Sequence, residues 1–380
     1  MGNKESLPSY PKIELSRTVL GSGFLGGLNT SLVDHFNPAA SAGANETTLQ
    51  LYPRIEVKNS RYNIIGCLPV NFRRKGMFSG HGGFSLLRPI SVENFVQNSP
   101  LGLEDLRFHV LGDEEAAVTY TDFCPKRKGT EARIGLSYLD WLIAEARWQE
   151  RKRVLVSPLD VCDKDGVLIP PDQGKYGWFF HRPMRSQPGE EFGWSIEVIP
   201  FLNEEELPLL GQLADKDWAR LGNRSLISPD KAKNQTHVGM SAPPIFLERR
   251  DNGEEVWACL FHPVTRTAPK TLVYSTHVAR VAFNEKRTLI RVEKTLPFLK
   301  PFDGGGLIRG GWVKRIIFTT GAVLTQPPNN GNCREFYNFS FFRPNRGQAQ
   351  EMLLTSGDGD RQIRWDLVDF GAFCDQVLAA

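Results

Sequence analysis

Ile245-Phe-Leu-Glu-Arg249, Arg250-Asp-Asn-Gly-Glu254 and Glu255-Val-Trp-Ala-Cys-Leu-Phe-His262 form two β-prone runs around a turn. Asn252-Gly253 is a dipeptide that tolerates positive φ, so the stretch predicts an antiparallel hairpin. The pattern continues on the C-terminal side. Thr271–Phe283 and Thr288–Leu296 alternate apolar and polar residues around Asn284-Glu285-Lys286. Glu351–Thr355 and Arg361–Trp365 flank Gly357-Asp358-Gly359-Asp360. With Trp312–Leu324 and Glu335–Phe342 added, residues 240 to 366 read as antiparallel sheet. Short strands are expected towards the N-terminus at Asn63–Phe72, Leu106–Leu111 and Ala116–Asp122.

Three helices are expected. Leu136–Val154 places Leu139, Leu142, Ile143 and Ala146 three and four residues apart among charges, an amphipathic helical pattern. Asn203 is a plausible N-cap for a helix running to Leu221, with three glutamates in its first turn. Trp365–Ala379 is the third. The expected fold class is therefore α+β and strand-dominated, with antiparallel sheets and a few peripheral helices. A length of 380 residues exceeds what one core usually serves, which predicts two domains. Their limits fall at 13–222 and 240–380 on either side of a polar, turn-rich stretch, after an N-terminal tether over 1–12.

Composition excludes several function classes. Hydrophobic residues make up 41% and charged residues 23%, an ordinary globular balance. Net charge is +3, from 46 basic and 43 acidic residues, too near neutral for a nucleic-acid partner. No window approaches the roughly 20 apolar residues that cross a bilayer. The six cysteines are scattered and form no Cys-x-x-Cys pair, so a zinc ribbon or a thioredoxin-like motif is not expected. Most read as buried thiols; Cys333 and Cys374 are the pair to test for a disulfide.

Motifs for chemistry are weak. Gly21-Ser22-Gly23-Phe24-Leu25-Gly26 fits Gly-x-Gly-x-x-Gly, but the segment before it is too polar for a buried parallel strand, so no cofactor is expected. Asp303–Gly311 has the glycines of an anion nest but reads as a connection. Asp163-Lys164-Asp165-Gly166 resembles the middle of a calcium loop without its first and twelfth ligands, and reads as a turn. There is no Gly-x-Ser-x-Gly elbow or His-Glu-x-x-His helix, and the seven histidines show no metal-ligand spacing, so no metal is expected. Without a catalytic constellation, the sequence favours a binding protein over an enzyme.

The opening Met1-Gly2-Asn3-Lys4-Glu5-Ser6 admits three readings. Met1 stands where a bacterial lipoprotein would carry its lipidated cysteine; Met-Gly-x-x-x-Ser also fits an N-myristoylation acceptor; or the stretch is a polar tail. In this start and in its overall build the chain resembles the periplasmic lipoprotein immunity proteins of type VI secretion phospholipase effectors. That resemblance implies a non-catalytic, lipid-anchored periplasmic protein that binds a secreted toxin and blocks it sterically, touching the membrane only through its lipid. Aromatic and Arg anchors would carry such an interface. The candidates are Arg73, Arg74, Phe78 and His81 on one loop, Trp178, Phe179 and Arg182 on a second, and Arg343 and Arg346 on a third. The alternatives are an enzyme whose site is assembled from dispersed residues, or a myristoylated cytoplasmic protein at a membrane face.

Overall fold

The structure, a computed structural model, describes residues 15–24, 33–42, 48–57, 63–65, 68–72, 78–79, 103–111, 114–126, 129–142, 147–172, 174–185, 193–268, 271–301, 313–326, 335–337, 351–358 and 362–380. After a 3-10 turn over Leu15–Thr18 comes strand β1 (Val19–Phe24). Sheet 1 holds β2 (Val33–Ala42), β3 (Thr48–Val57), β4 (Asn63–Ile65), β5 (Leu68–Phe72) and β6 (Phe78–Ser79). Sheet 2 is a meander of β7 (Leu103–Val110), β8 (Glu115–Lys126), β9 (Gly129–Leu142) and β10 (Arg147–Leu155). Sheet 3 contains β11 (Asp163–Ile169), β12 (Gly177–Pro183), β13 (Ile196–Phe201) and β14 (Arg224–Ile227), with helices α1 (Glu206–Leu210) and α2 (Asp215–Arg220) before the last strand.

Sheet 4 comprises β15 (Gln235–Met240), β16 (Ile245–Arg249), β17 (Glu255–Ala268), β18 (Thr271–Tyr274), β19 (Thr276–Phe283), β20 (Ile290–Leu299) and β21 (Val313–Arg315). Sheet 5 has β22 (Ile317–Gln326), β23 (Glu335–Tyr337), β24 (Glu351–Asp358) and β25 (Gln362–Asp369), with β1 paired on β25. Helix α3 (Phe370–Ala379) follows, its first turn capped by Asp369 Oδ1 accepting from the Ala372 amide.

Each sheet packs face to face on the next, and the last packs on the first. Tyr52 of sheet 1 stacks on Phe108 of sheet 2 at 5.6 Å. Ala117, Ile134 and Leu136 of sheet 2 share a core with Leu168, Phe179 and Ile199 of sheet 3. Trp178, Phe180 and Val198 pack on Val238, Trp257 and Phe261 of sheet 4, and Leu260 and Val278 on Ile317, Leu354 and Val368 of sheet 5. Ala40, Leu49 and Leu51 close the circle against Val323, Leu353 and Trp365. Five sheets in such a ring, antiparallel but for the β18–β21 pair, are a β-propeller. Strands β2, β7, β11, β15 and β22 lie nearest its centre, where β7 packs on β2, β11 and β22 alike.

Ring packing explains where the elements depart from expectation. Residues 136–142 and 147–154 belong to the paired strands β9 and β10, with Leu136 opposite Val154 and Leu139 opposite Glu150, and not to a helix. A sheet covered on both faces carries apolar residues on both, and their spacing then imitates a helical stripe. The expected helix over 203–221 is divided into α1 and α2 around Gly211. A Cβ there would lie 1.8 Å from the Leu155 carbonyl, and the Leu210 carbonyl accepts from the Trp218 indole. Trp365 to Asp369 belong to β25, so the last helix begins only at Phe370. The first and third expected strand pairs are present as β16–β17 and β24–β25, with Gly253 at φ 81° in the first turn; of the second only β19 pairs with β20, since Thr271–Tyr274 form a separate strand, β18, beside β17 and β21.

Gly21 and Gly23 lie in β1, opposite Leu367 and Trp365. They are strand residues and do not form a phosphate loop. The division into two domains finds no support: β1 completes sheet 5, and the intended boundary carries β14 of sheet 3 and β15 of sheet 4. No helix among the described residues is long and apolar enough to cross a membrane. The N-terminal residues with the anchor readings lie outside the described residues, as does Cys333.

Candidate active site

Each of the five inner strands gains one extra residue against its neighbour. The irregularities fall between Phe36 and Ala39, Glu104 and Arg107, Lys164 and Val167, Gln235 and His237, and Thr319 and Gly321. Such bulges re-aim side chains and are common beside active sites. In β7 and β11 the displaced residue is an aspartate in the left-handed region: Asp105 at φ 53° and Asp165 at φ 58°. Each is the third residue of its strand. Two buried carboxylates on matching bulges mark this end of the ring as the place where backbone strain has been accepted.

A network of charges surrounds them. Arg107, fully buried, donates from Nε to the Ser241 carbonyl (2.9 Å), from Nη1 to the Asp105 carbonyl, and from Nη2 to the Met240 carbonyl and Asp165 Oδ1 (3.0 Å each). Its guanidinium lies 5.2 Å from the Phe318 ring centre, so one side chain ties together the inner strands of four sheets. Asp165 Oδ2 lies 3.1 Å from Arg182 Nη2 and 3.5 Å from His262 Nε2. Gly239 makes room for it, because a Cβ at that position would sit 2.1 Å from the same oxygen. Glu104 bridges Arg54 (2.6 Å) and Lys164 (3.3 Å), and Arg54 also lies 3.8 Å from Asp105.

Three histidines near the centre are held neutral. Burial, then the charges of Arg182 and Arg107, keeps His262 well below its ordinary range. Burial, with Arg182 and His262 adding to it, does the same to His237. His109 falls to about 3 through burial and Arg107. The His237 ring lies 5.4 Å from Trp194 and 6.0 Å from Tyr274, and Arg182 stands 6.0 Å over Trp194. The Thr236 hydroxyl donates to the Val264 carbonyl, so it accepts from Nδ1 of His237, which fixes the proton on that nitrogen. Carboxylates, fixed cations and aromatic faces gathered in one cluster are parts that can position and transfer protons. No group of three or more metal-binding side chains occurs among the described residues.

Of the residues singled out from sequence, Arg182 belongs to this cluster. Trp178 and Phe179 do not: both are buried in the core, Trp178 donating its indole N–H to the Arg287 carbonyl and Phe179 packing its edge on Trp218. Phe78 falls on β6 opposite Phe72. Arg73, Arg74, His81, Arg343 and Arg346 lie outside the described residues. Sequence reasoning missed Arg54, Glu104, Asp105, Arg107, Asp165 and His262. The available signal was acid pairs at the starts of otherwise apolar strands, since a charge in a buried strand needs a reason.

No protein-family model and no curated protein matches the chain. Solved structures do. A glycosyl hydrolase from Bacteroides ovatus is similar over 88% of this chain and 84% of its own, with a TM-score of 0.54 and 16% identity. A mannose phosphorylase from Leishmania mexicana, solved with a phosphate ion, is similar over 94% and 90%, at 0.52 and 14%. A structure reported for the GH130 family of mannoside phosphorylases, with glycoside hydrolases that target β-1,2 mannosidic linkages in Candida mannan, is similar over 88% and 84%, at 0.53 and 16%. What they share with this chain is the fold.

That likeness corrects the expectation of a non-catalytic immunity protein blocking a secreted toxin. The chain shares its ring of sheets with a glycosyl hydrolase and a mannose phosphorylase, and with no immunity protein named among these structures. A buried polar cluster lies where its inner strands meet. Neither the toxin partner nor the exposed Trp178–Phe179 anchor survives.

Proposed function

We propose that the protein is a carbohydrate-active enzyme working on a glycosidic bond at the starts of the inner strands. The observation that carries this reading is the pair Asp105 and Asp165, presented on equivalent bulges in left-handed backbone. Glycosidic cleavage needs a carboxyl group to protonate the leaving oxygen. Asp165 is clamped between two guanidinium groups, which suits an electrostatic and positioning role. The acid role is assigned to Asp105, which lies 3.8 Å from a single cation, Arg54, that Glu104 engages more closely at 2.6 Å. The Trp194, His237 and Tyr274 rings offer faces for the sugar.

A second observation favours phosphate over water as the attacking group. Nε and Nη1 of Arg182, a buried residue, make no hydrogen bond among the described residues. A buried guanidinium with donors to spare suits an oxyanion. In phosphorolysis a phosphate oxygen attacks the anomeric carbon and the glycosidic C–O bond breaks. The leaving oxygen takes the Asp105 proton, giving a sugar 1-phosphate and a free sugar. The test is a panel of mannosides, beginning with β-1,2-mannobiose, incubated with and without inorganic phosphate and resolved by anion-exchange chromatography. Asp105→Asn should cut turnover by about 10²- to 10⁴-fold with the fold intact. Full activity in that variant would remove Asp105 from the chemistry.

A further inference from the structure

Asp163 and Asp165 are two residues apart on β11, and in a regular strand both would face the same way. Here they face opposite ways. Asp165 meets Arg182, whereas Asp163 Oδ2 meets Nδ1 of His181 at 2.8 Å, and His181 and Arg182 are consecutive on β12. The bulge between Lys164 and Val167 makes this reversal, so whatever fixes Asp163 fixes the strand just ahead of Asp165.

His181 is fully buried, and both of its nitrogens face acceptors. Nδ1 meets the Asp163 carboxylate and Nε2 meets Oδ1 of Asn223 at 3.0 Å. The Asn223 orientation is not free to reverse, because its amide donates to Glu197 Oε2 at 2.6 Å. Both Glu197 oxygens in turn accept from Arg185, which also grips Asp215 of α2 at 2.6 Å. With two acceptors, both ring nitrogens must carry protons. Among the described residues Asp163 Oδ1 has no hydrogen bond, so this ring is the partner of that carboxylate.

We infer that His181 is a buried imidazolium and a positioning residue: through Asp163 it pins the start of β11 so that the bulge presents Asp165 to the site. The catalytic consequence rests on the function proposed above; the charge state and the pinning do not. The groups facing the ring are Asp163 from β11, Glu197 from β13 through Asn223, and the indole of Trp218 from α2 at 4.8 Å, with Arg185 and Asp215 behind Glu197. Burial opposes the charge, but Asp163, Asn223 and Glu197 raise the pKa above the ordinary histidine value. The pin therefore holds at neutral pH and is released as pH rises through that raised value.

The test uses the full chain. Long-range nitrogen–proton NMR, with the His181 signal assigned by its loss in His181→Gln, should show both ring nitrogens protonated at pH 7. Hydrogen exchange followed by mass spectrometry on peptides spanning 161–170 should show protection that falls tenfold or more as His181 titrates. Asp163→Asn, which keeps the shape, should move that fall to lower pH. The alkaline limb of mannoside turnover should follow the same titration. A neutral His181 ring at pH 7 overturns the inference, as does β11 protection that ignores its titration. If both hold and no glycoside is turned over, the pin stands and the enzymatic reading fails. Turnover whose alkaline limb ignores the NMR titration removes the positioning role.

Discussion

Glu255→Gln tests the seam between sheets 3 and 4, far from the candidate chemistry. Glu255 is buried, and its carboxylate gathers three cations: Lys175 at 2.6 Å, Arg249 at 2.8 Å and Arg287 at 2.7 Å. Arg287, itself at φ 54°, donates onward to the Pro170 carbonyl just beyond β11, and its own carbonyl receives the Trp178 indole. Burial alone would push the Glu255 carboxyl up; Lys175, Arg287 and Arg249 outweigh it and bring it to about 2, from an ordinary 4.5. At about 1.36 kcal/mol for each tenfold in proton affinity, that step corresponds to about 3 kcal/mol of folding stability.

The stabilisation is complete above the unfolded value near 4.5 and is lost as pH falls from there towards 2. Glu255→Gln should therefore lower unfolding stability by about 3 kcal/mol at pH 7, and the deficit should shrink steadily below pH 4.5. Urea unfolding followed by tryptophan fluorescence at pH 7, 5, 4 and 3 measures it. A deficit that stays the same across that range would show that packing, and not charge pairing, holds the knot.

Two further substitutions act through single contacts. Gly239→Ala drives a methyl group into Asp165 Oδ2 and towards His262, so the proposed glycoside turnover should fall by about 10²-fold or more while stability drops by about 1–3 kcal/mol; steady-state kinetics and a urea melt report the two effects separately. Asp369→Ala removes the cap of α3 and should cost about 1 kcal/mol, read as earlier loss of protection in peptides covering 370–380.

How much of this could be read in the sequence depended on how local the cause was. The β16–β17 turn was legible because Asn252-Gly253 states its own geometry. The β9–β10 pairing was not, since its apolar residues answer to two neighbouring sheets and their spacing mimics a helix. Asp163-Lys164-Asp165-Gly166 shows the difficulty most directly. The expected turn is strand β11 instead, and the left-handed backbone is confined to Asp165. The meaning of that residue comes from Arg107, Arg182 and His262, residues distant in the chain that only ring closure brings near. The dispersed-site enzyme kept as an alternative was the better reading for that reason.

The pairing of β1 with β25 has a consequence for how the chain is made. Val19 finds Val368, and Phe24 finds Arg364, partners hundreds of residues further along the chain. During synthesis β1 leaves the ribosome long before β25 and must wait, its backbone edge unsatisfied, until the intervening strands have followed. An unpaired strand edge is a template for pairing with the wrong chain, and contacts of such long sequence separation form slowly. The moment of greatest danger for this protein is thus the interval before closure, when four sheets can have formed and the fifth still lacks its outer strand. A short peptide matching 362–369, added during refolding, should compete for β1 and trap the open ring.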